Sequence, residues 1–261
     1  MMRTVTMVAV CVLLPVLFSA PAGATSQSAL ADAWAGYSRD AATRSPAYSF
    51  PYQHCFDESA RRHDMPVTLL LAVARGESDF NVTARSKADA HGLMQILWPG
   101  TARDLGFSRV SELYEPCRNV DAGTRYLKQM MQRYDGDLHL ALAAYNYGPR
   151  RIPVGADSIP KGAAWYSGYI YRHLGYVLGD GSRDLPSGTP YDADRKIILV
   201  EFAAPYRAEA FVETMEAASP QLRLDWFRVD AGKFRVVMSY SSDSELAAAR
   251  TGLARSGFEI D

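Results

Sequence analysis

"LLLAVARGESDF", residues 69–80, is an apolar segment that ends on an acid. At helical period Leu70, Val73 and Glu77 are spaced i, i+3, i+7 and share one face. A carboxylate on a buried face is costly to desolvate and is rarely left without a partner. Either the helix ends in solvent, or Glu77 is held in an apolar cleft for its chemistry. The neighbouring stretches are helical too. "CFDESARRHDM" (55–65) stops before Pro66, which suits the first turn of the helix that carries Glu77. A polar loop through Lys87 and Asp89 leads to the apolar "GLMQIL" (92–97). "VDAGTRYLKQMMQRY" (120–134), with Asp121 as its expected cap, "LHLALAAYNY" (138–147), between Gly136 and Gly148, and the aromatic "AAWYSGYIYRHLGYVL" (163–178) predict three further helices. No strand pattern precedes Leu178.

The pattern then changes. "GDGSRDLPSGTPYDADR" (179–195) is rich in Gly, Pro, Ser and Asp and reads as a linker that leaves its flanking units free to move. Beyond it, "KIILVEF", "LRLDWFRV" and "KFRVVMSY" read as strands, and "RAEAFVETMEAAS" and "DSELAAARTGLARSG" as helices. A short last strand is expected at 258–260. The order βαββαβ implies a small split-βαβ sandwich. The fold class is therefore α+β: a mainly helical unit over 51–178, a linker over 179–194 and a βαββαβ unit over 195–261, with a weakly structured lead-in at 25–50.

Residues 1–24 read as a secretory signal, with Arg3 in the n-region, "VAVCVLLPVLF" as the apolar core and Ala22-Gly23-Ala24 as the cleavage site. Cys11 lies inside the apolar core and away from small residues, which argues against a lipid anchor. No later apolar run is long enough to span a bilayer. Without the signal, Cys55 and Cys117 remain, an even pair in an oxidising compartment, where one disulfide is the natural state. The net charge of −1 and the absence of a basic patch count against nucleic acid as a partner. The chain holds 15 tyrosines, 10 phenylalanines and 4 tryptophans, which suits sugar stacking and ordinary cores equally.

Three blocks in the helical unit carry a resemblance to the Slt-type lytic transglycosylases, lysozyme-like enzymes of glycoside hydrolase family 23 that cleave bacterial peptidoglycan. Glu77-Ser78-Asp79-Phe80 matches the E-S-x-F block. Gly92-Leu93-Met94-Gln95 matches G-L-M-Q, and Ala144-Tyr145-Asn146-Tyr147-Gly148 matches A-Y-N-x-G. "HCFDESA" and "EPCRNVDAG" resemble segments of the short members that accompany secretion, invasion and conjugation machines. That likeness implies that Cys55 and Cys117 are partners and that such a machine is an associated partner.

The resemblance makes Glu77 the catalytic acid, held against an apolar wall that keeps it protonated. It would protonate the glycosidic oxygen between N-acetylmuramic acid and N-acetylglucosamine, then take a proton from the muramic C6 hydroxyl as a 1,6-anhydro ring closes. Met94 and Gln95 are expected to line the cleft. Tyr145 is expected to hold Glu77 or the substrate, Asn146 to fix the adjoining backbone, and Ser78 to buttress the loop or the Glu77 side chain. Ser78 is equally well a polar filler. Asp79 points away from Glu77 if the helix continues and reads as solvated. The family often closes its cleft with E-T-x-x-Y-V, and here that run is Trp165-Tyr166-Ser167-Gly168-Tyr169-Ile170. Tyr169 keeps the aromatic, the acid and threonine are absent, and Trp165 and Tyr166 fit sugar stacking or core packing.

The C-terminal unit is similar to the SPOR domain, a module that binds denuded glycan strands, on its element order and on "FRVVMSY" and "ARSGFEI"; the family's G-P-F after the central strand is replaced by Met238-Ser239-Tyr240. The histidines are scattered, there is no H-E-x-x-H, and no Gly-rich phosphate loop follows a strand, so neither metal nor cofactor is expected. The reading that results is an exported, periplasmic enzyme acting on peptidoglycan glycan strands. Two alternatives stay open: a goose-type lysozyme that uses water, and an idle wall-binding or scaffold protein of a secretion apparatus.

Overall fold

The structure, a computed structural model, describes residues 22–156, 158–179, 195–230 and 233–260. Most of the expected signal segment and nearly all of the expected linker lie outside the described residues. Among the described residues, no helix is long and apolar enough to cross a membrane.

The helical unit is built around α3 (Val67–Ser78), whose residues from Thr68 to Gly76 are all buried. This helix packs on α2 (Gln53–His63) and α7 (Lys161–Leu178), which α5 (Pro116–Arg133) and α6 (Leu138–Tyr147) join in turn, with the short α4 (Gly100–Asp104) beside the loop that follows α3. Asp137 caps α6 by accepting from the Leu140 N–H. Asp121, expected to cap α5, lies inside it, because the helix starts earlier at Pro116, a favoured first-turn residue. Asp121 instead accepts from His63 Nε2 at 2.8 Å and pairs with Arg62 at 2.9 Å. The Cys55–Cys117 disulfide joins α2 to the first turn of α5.

The lead-in is more ordered than expected. Residues Ala22–Ser38 form a helix, α1, that packs on the helical unit through Trp34 and Tyr37, both buried. Trp34 Nε1 donates to Ser167 Oγ (2.9 Å), and Tyr37 Oη bonds Thr68 Oγ1 (2.7 Å). Leu30, Trp34 and Tyr37 are spaced i, i+4, i+7, a helical stripe set among alanines, which are the best helix formers.

The sequence shows no strand before Leu178, yet a small hairpin is present. Strand β1 (Ala90–His91) pairs antiparallel with β2 (Ile96–Leu97), Ala90 opposite Leu97 and His91 opposite Ile96. Each strand has two residues, too few to show a period.

The C-terminal unit comprises β3 (Arg195–Phe202), α8 (Pro205–Ala218), β4 (Leu224–Asp230), β5 (Lys233–Tyr240) and α9 (Asp243–Arg255). The sheet is antiparallel in the order β3-β5-β4, so β4 is an edge strand. The order is βαββα among the described residues, not βαββαβ. Residues 258–260 form no strand, and Phe258 packs its ring on Phe211 (5.0 Å) while its N–H closes the end of α9 on Leu253 O. Leu222, Met238, Met215, Ala249 and Leu253 form a core between the sheet and its helices.

The two units are not independent bodies. Edge strand β4 lies against α3 and α7, and Trp226 and Phe234 of the sheet share one core with the helical unit. Trp226, Phe227, Phe234 and Tyr240 are all buried, so none of these sheet aromatics is free to stack on a glycan.

Candidate active site

Glu77 is the penultimate residue of α3, and the chain turns sharply just after it. Asp79 and Phe80 both adopt left-handed backbone conformations (φ 48° and 59°). Asp79 thereby caps the helix with its N–H on Arg75 O, and Phe80 folds back into the core against Phe50 and Phe56. The turn keeps Glu77 at the wall of the fold, with only 6% of its side chain exposed. Asp79 is not solvated as expected: Lys196 Nζ of β3 donates to its Oδ2 at 2.7 Å.

Close approach of α7 supplies the partner of Glu77. A Cβ added to Gly76 would lie 2.7 Å from Ile170 Cδ1 and 3.1 Å from Tyr169 Cε1, so a larger residue would displace these α7 side chains. At this spacing Tyr166 Oη donates to Glu77 Oε1 at 2.6 Å, and Tyr169 Oη donates to Gly76 O at 3.0 Å. Burial pushes the Glu77 carboxyl above the usual carboxylate range, opposed by the Arg228 guanidinium, 3.6 Å from Oε2, and by the Tyr166 hydrogen bond. Among the described residues, no carboxylate acts on it. Burial and the nearby Glu77 charge push Tyr166 and Tyr145 well above the ordinary phenol value, so both hydroxyls keep their protons.

The G-L-M-Q block forms the turn between β1 and β2, with Gly92 and Gln95 at positive φ (77° and 48°). Its backbone is held from four sides. Asn119, fully buried on α5, accepts from Met94 N (2.7 Å) and donates to His91 O (2.9 Å) and Leu113 O (2.8 Å). Tyr145 Oη donates to Met94 O (2.7 Å), and Ser78 Oγ donates to Leu93 O (2.9 Å). Gln95 Nε2 donates to Gly92 O (2.9 Å).

The expected site residues therefore divide. Glu77, Tyr145, Asn146 and Tyr169 come together around the end of α3, and Ser78 buttresses the loop. Tyr145 bonds the loop and not Glu77. The Met94 side chain is fully buried, in the space that a Cβ on Gly123 would fill, and does not line an open cleft. Sequence reasoning missed Asn119, Arg228 and the role of Tyr166. For Tyr166 a signal existed, since Tyr166, Tyr169, Ile170 and His173 make one helical face. Among the described residues the one trio with metal-ligand spacing is His54, Cys55 and Cys117, and its two sulfurs are bonded to each other.

A family model described as "Transglycosylase SLT domain" matches residues 54–156. The soluble lytic murein transglycosylase of Escherichia coli K12 is 33% identical over 112 residues, 40% of this chain and 17% of that protein. A protein of Enterobacteria phage PRD1 named "Transglycosylase" is 26% identical over 186 residues, 66% of each chain. Among solved structures, the 70 kDa soluble lytic transglycosylase of Escherichia coli aligns at 25% identity with a TM-score of 0.46, covering 65% of this chain and 34% of that one. The chain thus spans only a small part of its bacterial soluble relatives.

Proposed function

We propose that the chain is a peptidoglycan lytic transglycosylase that cleaves the β-1,4 bond between N-acetylmuramic acid and N-acetylglucosamine, with Glu77 as acid and then base. The observation that carries this reading is a buried carboxyl, raised in proton affinity, with Tyr166 on one oxygen and, among the described residues, no second carboxylate acting on it. A two-carboxylate glycosidase needs a partner about 5–10 Å away to hold a glycosyl intermediate or activate water. The family match over 54–156 and the relatives' names support the same activity.

In the first step protonated Glu77 gives its proton to the glycosidic oxygen, the bond to muramic C1 breaks, and the N-acetylglucosamine side leaves as an alcohol. In the second step the Glu77 carboxylate takes the C6 hydroxyl proton while that oxygen bonds to C1, which closes the 1,6-anhydro ring. The carboxyl ends protonated, and no water is consumed. The Cys55–Cys117 bridge supports export to an oxidising compartment such as the periplasm. Association with a secretion or conjugation machine rests on the "HCFDESA" and "EPCRNVDAG" segments and belongs to the same proposal.

Digestion of purified sacculi in ¹⁸O-labelled water tests the chemistry. Muropeptides with 1,6-anhydro ends and no label are expected. Labelled reducing ends would assign the chain to the hydrolytic lysozymes, and absence of release would leave a wall-binding or scaffold role.

A further inference from the structure

Strand β4 is fixed to the helical unit by ion pairs and hydrogen bonds to α3 and α7. The Asp225 carboxylate takes Arg75 of α3, itself buried, and Arg172 of α7, at 2.7 Å. Its pKa is held far below the usual carboxylate range, because the attraction of Arg75 and Arg172 outweighs the cost of burial. Two backbone groups of the strand are also taken: Arg172 donates to Trp226 O (2.6 Å), and the Arg228 N–H donates to Tyr169 Oη (3.0 Å). Covering an edge in this way protects it from unwanted pairing, and breaking such a buried charge pair is strongly destabilising. Trp165, at the position of the family's missing acid, packs on Trp226 and Phe234.

This docking sets Arg228 beside the reacting carboxyl. Its guanidinium lies 3.6 Å from Glu77 Oε2, within 3.5 Å of Asn146 Oδ1, and 5.5 Å from the centre of the Tyr166 ring. When Glu77 gives up its proton, a carboxylate forms where little water reaches. Tyr166 serves Oε1, and among the described residues Arg228 is the one cation within ion-pair distance of Oε2. The other groups that face Glu77 are the hydroxyls of Tyr145 from α6 and Tyr166 from α7, both protonated.

We propose that Arg228 is a positioning residue that stabilises the Glu77 carboxylate between the two proton transfers, which gives the C-terminal unit a part in the chemistry of Glu77. The proposal rests on the reading of Glu77 as acid and base. Of the two effects that oppose burial at Glu77, the Arg228 charge is the larger.

The test uses the full chain with Arg228→Met, Arg228→Gln and Arg228→Lys. The Glu77 carboxyl is titrated by ¹³C NMR, with Glu77→Gln for assignment, and release of anhydro-ended fragments is followed against pH. An opposite charge at this range favours the ionised form by about one unit or more, so both uncharged variants should raise the Glu77 midpoint by that amount. They should also move the alkaline limb of activity up and lower kcat about tenfold, with KM little changed and most of the shift restored by Lys. Arg228→Gln keeps a polar side chain, which supplies a folded comparison if Met perturbs the strand. An unmoved Glu77 midpoint overturns the proposal, and so does faster release, which would make the docked unit an obstruction. If Glu77→Gln is itself active, the acid-base reading fails. If Glu77→Gln is inactive and the Arg228 variants titrate as wild type, only this inference fails.

Discussion

Replacing Glu77 by Gln should make the protein more stable while it removes activity, and the stability gain should depend on pH. The Gln carbonyl can still accept the Tyr166 hydrogen bond, so the packing of α3 on α7 is kept. What changes is the proton. The folded-state pKa of Glu77 lies above the ordinary 4.5, so over some range of pH the folded chain holds a proton that the unfolded chain has released. Stability then falls as pH rises, because the native state binds more protons than the unfolded state. This penalty is absent below the unfolded value and complete once pH exceeds the folded one. It amounts to about 1.4 kcal/mol for each unit by which burial has raised the group. Gln carries no such penalty. Urea unfolding of both proteins, followed by tryptophan fluorescence at about pH 4 and about pH 8, isolates the effect, since every other titrating group is common to the two. The variant should gain on wild type from the lower pH to the higher, and sacculus digestion should fall by about 10²- to 10⁴-fold. A stability difference that is constant across this range would refute the reasoning. A wild type that gains on the variant would show that Glu77 rests ionised against Arg228.

The loop that carries Met94 and Gln95 should depend on Asn119. Asn119→Ala removes three hydrogen bonds from buried backbone groups and should cost about 3–5 kcal/mol in urea unfolding; a cost under about 1 kcal/mol would mean that the loop re-forms its bonds elsewhere. The Cys55–Cys117 bridge closes a separation of 62 residues, so its reduction should destabilise the chain by about 4 kcal/mol on the loop-entropy account and lower Tm. An unchanged Tm after complete reduction, checked by mass, would contradict that account.

The placement of Glu77 was legible because it is local. Glu77 at the end of a buried helix follows from the spacing of Leu70 and Val73. Contacts between helices were harder to read. Tyr145 and Tyr166 both sit on apolar helical faces, but which hydroxyl reaches Glu77 is decided by how closely Gly76 lets α7 approach, and a sequence does not display that distance. Tyr145 consequently bonds Met94 O, and Tyr166 takes Glu77. Asp121 looks like a cap because it precedes an apolar periodic run, whereas the helix begins at Pro116. Asp79 looks solvated because its partner, Lys196, lies far along the chain. Arg228 carries no local signal, since its place beside Glu77 depends on the whole edge strand being seated through Asp225 and Trp226.

The seated strand bears on how such a chain could be inherited in pieces. The family match ends at residue 156, before Tyr166 and well before Arg228. A gene fragment cut at that limit would encode Glu77 and the G-L-M-Q turn, yet neither of the groups that flank the two Glu77 oxygens. It would also bare Arg75 and lose α7, against which α3 is packed. Recombination that exchanged the C-terminal unit for an unrelated module would keep Tyr166 on α7 but lose Arg228 and Asp225. Trp165, Arg172 and Tyr169 all touch β4, so a change at any of them is expected to disturb the strand that carries Arg228.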